Sequence, residues 1–145
     1  MKEIRNKKAF FNYEILDTFV TGIVLFGAEV KSIRAGCGSL AGAYVTIRNN
    51  EVWIKNFQIT KWEFSQETID PVRDRKLLLK KREITRLQKK LDEQGLTLIP
   101  IKLFFERGYA KLEVAVARGK KKYDKRQTIK ERDIQKRLAG KLRKY

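Results

Sequence analysis

The chain has 145 residues, 42% of them apolar and 10% aromatic, enough for one ordinary domain with a real core plus an appendage. A formal charge of +17 and a pI near 10.1 point to a polyanionic partner, either nucleic acid or an anionic membrane surface. There is no histidine, which excludes the commonest zinc sites and the Ser-His and Cys-His nucleophile pairs, and no apolar run approaches the length of a membrane helix.

Met1 to Lys8 is basic and reads as a mobile or RNA-facing start. It leads into an alternating stretch rather than an apolar one, so no signal peptide is expected. Phe11, Tyr13 and Ile15 alternate with Asn12 and Glu14, the period of a half-buried strand. Phe19 and Val20 carry the apolar signal to Gly22, read as a bend, and a second short strand spans Ile23 to Phe26. In AEVKSIRAG, Val30 and Ile33 fall on one face of a short helix while Glu29, Lys31 and Arg34 point away from it. Gly36 stands where a helix C-terminus wants a left-handed residue. Those three charges fit a solvated helix face and a binding face equally well.

Cys37 is the single cysteine, so an internal disulfide is excluded, which fits a cytosolic protein. Between Gly36 and Gly38 it reads as an inert thiol in a loop. Ala43 to Ile47 and Glu51 to Phe57 are predicted strands joined at Asn49-Asn50, since Asn tolerates positive φ. Trp53 and Trp62 could each stack on a base; packing is the favoured role for Trp53, and Trp62 stays open between the two. After Asp70-Pro71, Leu77, Leu78 and Leu79 form an apolar run among Arg73, Arg75, Lys76, Lys80, Lys81 and Arg82. Ile84, Leu87 and Leu91 then recur at helical spacing until Gly95, predicting a helix with one packed face and one cationic face. Leu96 to Glu106 and Tyr109 to Arg118 are the clearest strands, with Arg107-Gly108 as their two-residue turn and Pro100 marking an exposed edge or a bulge.

About six short strands with inserted helices and no βαβ alternation predict a mainly β fold, a small oligonucleotide-binding β-barrel over residues 1–118. The remainder, 119–145, is a basic tail. From Arg118 onward, thirteen Lys and Arg oppose three acidic residues, so this segment carries +10 of the formal +17. It has too little apolar material for a core and suits a polyphosphate. Thr128 and Glu131 have capping-box spacing, and Ile134, Leu138 and Leu142 make a thin stripe, so the tail is expected to be disordered when free and helical when bound.

Several blocks resemble one family. Asn6-Lys7-Lys8, GAEVKSIRAG at 27–36, SLAGAYV at 39–45, DPVRDRKLLLKKREI at 70–84, VARGKKKYDKR at 116–126 and IKERD at 129–133 are similar to small protein B, the SsrA-binding family of bacterial trans-translation. That resemblance implies an oligonucleotide-binding barrel that holds the tRNA-like domain of transfer-messenger RNA. It also implies a basic tail that becomes helical in the empty messenger channel of a stalled ribosome, against small-subunit RNA. The RNA-binding residues it implies are Asn6, Lys7, Lys8, Glu29, Lys31, Arg34, Lys76, Lys80 and Lys81. The ribosome-facing tail residues it implies are Gly119, Lys120, Tyr123, Asp124, Lys125 and Arg126. Lys and Arg would neutralise phosphates, and Glu29 would accept from base amines or a ribose hydroxyl. Tyr123 stands where relatives often carry His, which keeps stacking and loses protonation. Ile134 stands where many carry Trp, which puts in doubt the anchoring role of that position.

The expected protein is thus a cytoplasmic, monomeric RNA-binding adaptor with no catalysis, no cofactor and no membrane partner. Two other readings compete: a general basic ribosomal or nucleic-acid-binding protein acting through charge alone, and a metal-dependent nuclease. The nuclease reading suffers because Asp17, Glu51, Glu63, Asp70, Asp74, Glu83, Asp92 and Glu113 form no recognisable metal motif.

Overall fold

The computed structural model describes residues 3–61 and 69–119. Trp62 and the tail residues Lys120, Tyr123, Asp124, Lys125 and Arg126 lie outside the described residues. The elements run β1 (Ile4–Arg5), α1 (Ala9–Asn12), β2 (Tyr13–Ile23), α2 (Gly27–Arg34), β3 (Gly38–Ser39), β4 (Tyr44–Arg48), β5 (Glu51–Lys55), β6 (Gln58–Ile59), β7 (Arg75–Leu78), α3 (Lys81–Gln94), β8 (Thr97–Glu106) and β9 (Tyr109–Gly119).

Every strand pairing is antiparallel. The main sheet runs β1-β8-β4-β5-β7-β2-β9, and β9 returns to β8, so six of its strands form a closed ring. This is the expected barrel. β8 serves three neighbours: β9 along one edge, and β4 (at Leu98) then β1 (at Leu103 and Lys102) along the other. The small sheet β3–β6 lies beside the ring.

Two tight turns set the hairpins. Asn49 and Asn50 have φ of 53° and 59°, and Arg107 and Gly108 have φ of 52° and 83°. Two consecutive left-handed residues give the turn whose twist matches paired strands. The expected irregularity at Pro100 is a bulge, since the β8–β9 register shifts between Pro100 and Lys102. A residue that cannot donate to the ladder sits best where the ladder is already interrupted.

The core lies inside the ring: Val45, Val52, Ile54, Leu77, Leu98, Leu103, Leu112, Val114 and Val116 are all buried. Alternation places most of them, because a strand turns every second side chain inward. In β8 the bulge between Pro100 and Lys102 resets the phase, so that Leu98 and Leu103 both face this core while Ile99 and Ile101 join a second buried cluster with Ala115 and Ala117. α3 packs Ile84, Leu87 and Leu91 against this core, and Gly95 at φ 62° ends it, with Leu96 donating to the Leu91 carbonyl. The helix start is now placed: Leu77 and Leu78 belong to β7, and the Glu83 carboxylate accepts the Lys80 amide at 2.8 Å to open α3.

Four sequence expectations need correction. The second short strand over Ile23 to Phe26 does not form: Ile23 ends β2, and residues 24–26 lead directly into α2. Gly22 is no bend; β2 runs unbroken to Ile23, with Gly22 paired to Leu78 on one side and Lys111 on the other. A Cβ there would stand 3.1 Å from Leu78 Cδ1, so the position is small to let Leu78 lie across it. Phe11 lies in α1, and the strand begins only at Tyr13. In α2 the inward face is Glu29, Ser32 and Ile33, not Val30 and Ile33, so Glu29 points into the protein. Ion pairing, which a hydrophobic pattern does not register, reversed that side chain.

Candidate nucleic-acid interface

The basic N-terminal segment is held in place from two sides. Ile4 is buried and packs with the core, and Asn6 is fixed to β8: its amide donates to the Ile101 carbonyl at 2.8 Å and its Nδ2 to the Pro100 carbonyl at 2.9 Å. The bulge at Pro100 thus leaves a carbonyl for Asn6 to use. Lys7 and Lys8 follow, exposed, at the start of α1. Across from them the 39–44 loop folds on itself. Ser39 Oγ accepts the Ala41 amide, Gly42 takes a φ of 76°, and the Ala43 amide donates to the Leu40 carbonyl.

Between the two segments lies a groove of about 1020 Å³. Arg5, Asn6, Lys7 and Lys8 line one side, and Tyr44 and Tyr13 contribute rings. Tyr44 is 44% exposed. Lysines beside accessible aromatic rings are the combination that engages phosphates and bases together. Tyr44 and Tyr13 were not singled out in the sequence; the SLAGAYV block was the available signal for Tyr44.

α2 is anchored by a buried ionic cluster. Glu29 is 3% exposed and Arg75 fully buried. Glu29 Oε1 accepts from the Phe26 amide at 2.8 Å and Arg73 Nη2 at 2.5 Å. Its Oε2 accepts from Arg73 Nε at 3.1 Å and Arg75 Nε at 2.7 Å. Arg75 also donates to the Phe57 and Pro71 carbonyls. Burial alone would raise the Glu29 pKa, but the hydrogen bonds from Arg73, Phe26 and Arg75 and the Arg75 charge outweigh it and hold the carboxyl below its ordinary value. Burial likewise lowers the Arg75 pKa, against the opposing pull of Glu29. The cluster ties α2 to β7 and to the end of β6's approach at Phe57. Both of its carboxylate oxygens accept from protein donors, and Glu29 is buried rather than open to water. By sequence Arg73 and Arg75 are members of a basic run; the signal for burial is an Arg two residues before an inward Leu in a strand.

The remaining site residues divide by place. Lys31 and Arg34 are exposed on α2, with Arg34 4.9 Å above the Phe105 ring. Gly36, just past that helix at φ 85°, already lines the groove. Lys76 lies on β7, three strands around the ring from β8, and pairs with Glu51 at 2.6 Å, both about half open to water. Lys80 and Lys81 are exposed at the start of α3. Asn6, Lys7 and Lys8 line the groove, while Lys76 lies on β7 and Lys80 and Lys81 at the start of α3. Gly119 is the last residue of β9 and pairs with Tyr13. Trp53 is half-buried opposite Thr46 and Lys76, with Arg48 5.7 Å from its ring, in keeping with a packing role. Cys37 sits in a loop held by the Ser32 carbonyl and the Thr60 amide.

Comparison with known proteins places this geometry. Residues 3–144 match the family described as SmpB protein. The SsrA-binding protein of Chlorobaculum tepidum is 52% identical over 144 residues, covering 98% of this chain and 92% of its own length. That of Mycoplasma mycoides is 48% identical over 134 residues, covering 91% and 90%. A solved structure described as "tmRNA-SmpB: a journey to the center of the bacterial ribosome" is 42% identical, with a TM-score of 0.69 over 88% of this chain and 94% of that one. A match across nearly the whole chain, at about half identity and with the same barrel, means that the chain belongs to the SmpB family.

Proposed function

We propose that this protein is the RNA-binding adaptor of trans-translation: it binds the tRNA-like domain of transfer-messenger RNA and delivers it to stalled ribosomes. The observation that carries this is the end-to-end match to SsrA-binding proteins together with the likeness to a tmRNA-SmpB structure from the bacterial ribosome. An adaptor needs no chemistry of its own, and no catalytic role is assigned to any residue. Its place of work is the ribosome, hence the cytoplasm.

In this reading the barrel is the RNA reader. Asn6 fixes the N-terminal segment on β8 so that Lys7 and Lys8 meet phosphates at the groove, and Lys31 and Arg34 extend the contact along α2. Lys76, Lys80 and Lys81 form a second cationic surface, suited to another part of the RNA or to the ribosome. Glu29 positions α2 through Arg73 and Arg75 and does not itself touch RNA. Residues 119–145 are the ribosome-facing part, with Gly119, Lys120, Tyr123, Asp124, Lys125 and Arg126 at its start.

The test is binding of the tRNA-like RNA at physiological salt, against duplex DNA of equal charge. Full-length protein is compared with a chain ending at Gly119, which keeps the last paired residue of β9. Selective binding by both chains is expected. Loss of selectivity with the tail would overturn the assignment of specificity to the barrel.

A further inference from the structure

Five described rings carry a cation over one face. Phe57 is buried, and Trp53, Phe104 and Phe105 are half-buried. The fifth is Phe26, which is 51% exposed. Of the five it is the ring with most surface free to meet a partner.

Phe26 is also held still. It is the extended residue before α2, at φ −78° and ψ 156°, and its amide is bound by Glu29 Oε1 at 2.8 Å. The Arg73 guanidinium lies 4.1 Å from the ring centroid. Arg73 is itself fixed by two bonds to the same buried carboxylate. One carboxylate therefore sets both the backbone that carries the ring and the cation that covers one of its faces. The outcome is a fixed aromatic side chain, backed by positive charge and about half open to water, on a strongly basic protein.

That is the geometry on which an unpaired base stacks. Each base has a π-face, so a fixed aromatic platform binds it regardless of identity, and a nearby cation attracts the flanking phosphate. We propose that Phe26 is a stacking platform for an unpaired nucleobase of the bound RNA, with Arg73 behind the ring as its electrostatic support. The proposal rests on the RNA-binding reading above and adds to it a specific contact outside the basic residues.

The experiment measures binding of the tRNA-like RNA by full-length wild type, Phe26→Leu, Phe26→Ala and Phe26→Trp, with thermal midpoints to verify folding. Loss of a stacked base lowers affinity about 5- to 150-fold, so Phe26→Leu and Phe26→Ala fall in that range while Phe26→Trp binds like wild type. The slope of log affinity against log salt stays unchanged in Phe26→Leu, because no phosphate contact is removed; removing one would reduce it by about 1. In Phe26→Trp, saturation with RNA quenches indole emission beyond the change seen in wild type, a readout that does not need the truncated variants to fold. Wild-type affinity in Phe26→Leu, or no added quenching in Phe26→Trp, overturns the platform and leaves the RNA-binding reading intact. Failure of wild type to bind the RNA removes both.

Discussion

Glu29→Gln is the most informative single change. It keeps the size of the side chain and removes the charge that neutralises fully buried Arg75 and three-quarters-buried Arg73. It also turns one acceptor oxygen into a donor facing guanidinium donors. Removing one partner of a buried ion pair costs about 3–5 kcal/mol, because the other charge stays in the interior. Arg73 can rehydrate, which favours the lower end, about 3 kcal/mol, or a fall in Tm of at least about 10 °C for a domain of this size. Urea unfolding followed by circular dichroism would read it. The pH dependence supplies a second check. The folded-state pKa of Glu29 lies below its ordinary value of about 4.3, so its contribution is fully present above that pH and is lost as pH falls through the folded value. The gap between wild type and Glu29→Gln should therefore be constant near neutrality and narrow on acidification below about pH 4. A cost under about 1 kcal/mol, or a gap that does not narrow, would refute the argument that charge holds this cluster. Unchanged stability with lost RNA affinity would make Glu29 a direct RNA ligand after all.

Gly38→Ala places a Cβ 2.5 Å from Ile4 Cδ1, so the tip of the buried Ile4 side chain must swing aside; about 0.5–1.5 kcal/mol of stability for the displaced rotamer, and part of the RNA affinity, should go with it, since the same segment carries Lys7 and Lys8. Calorimetry and RNA titration would find this, and unaltered affinity would detach the groove from binding. Asn6→Ala should cost about 1 kcal/mol by leaving the Pro100 carbonyl without its donor, and weaken RNA binding further, measured by the same pair of assays. Lys7→Ala and Lys8→Ala should each lower the salt slope of RNA binding by about 1 without changing Tm. Asn50→Gly, at φ 59°, should raise stability by about 0.5 kcal/mol and leave RNA binding alone, since Gly relieves the left-handed strain at the second turn position.

The strands and turns that depend on local pattern could be read from residues alone. Asn49-Asn50 and Arg107-Gly108 announce their turns, alternation announces β8 and β9, and Ile84, Leu87 and Leu91 announce α3. What could not be read was set by partners distant in the chain. Gly22 looks like a bend until Leu78, far along the sequence, is seen lying across it. Glu29 looks solvent-facing until Arg73 and Arg75 arrive from β7's side to neutralise it. Asn6, Lys7 and Lys8 were legible through family resemblance, but not their groove, which needs the 39–44 loop brought opposite. Phe26 carried no signal in its own neighbourhood.

β8's double duty bears on how the protein is made. The segment with Asn6, Lys7 and Lys8 gains its ladder partners only from Leu103 and Lys102, and the ring closes only when β9 joins β2 and β8. Pairings between the two ends of a chain form late, because a long loop must close before any contact repays it. During synthesis Asn6, Lys7 and Lys8 therefore wait, unplaced, for nearly the last strand. A nascent chain cut short before β8 would carry every N-terminal lysine and still present no groove. The groove is thus withheld from incomplete copies of this protein, and the arrival of β8 is the event that builds it.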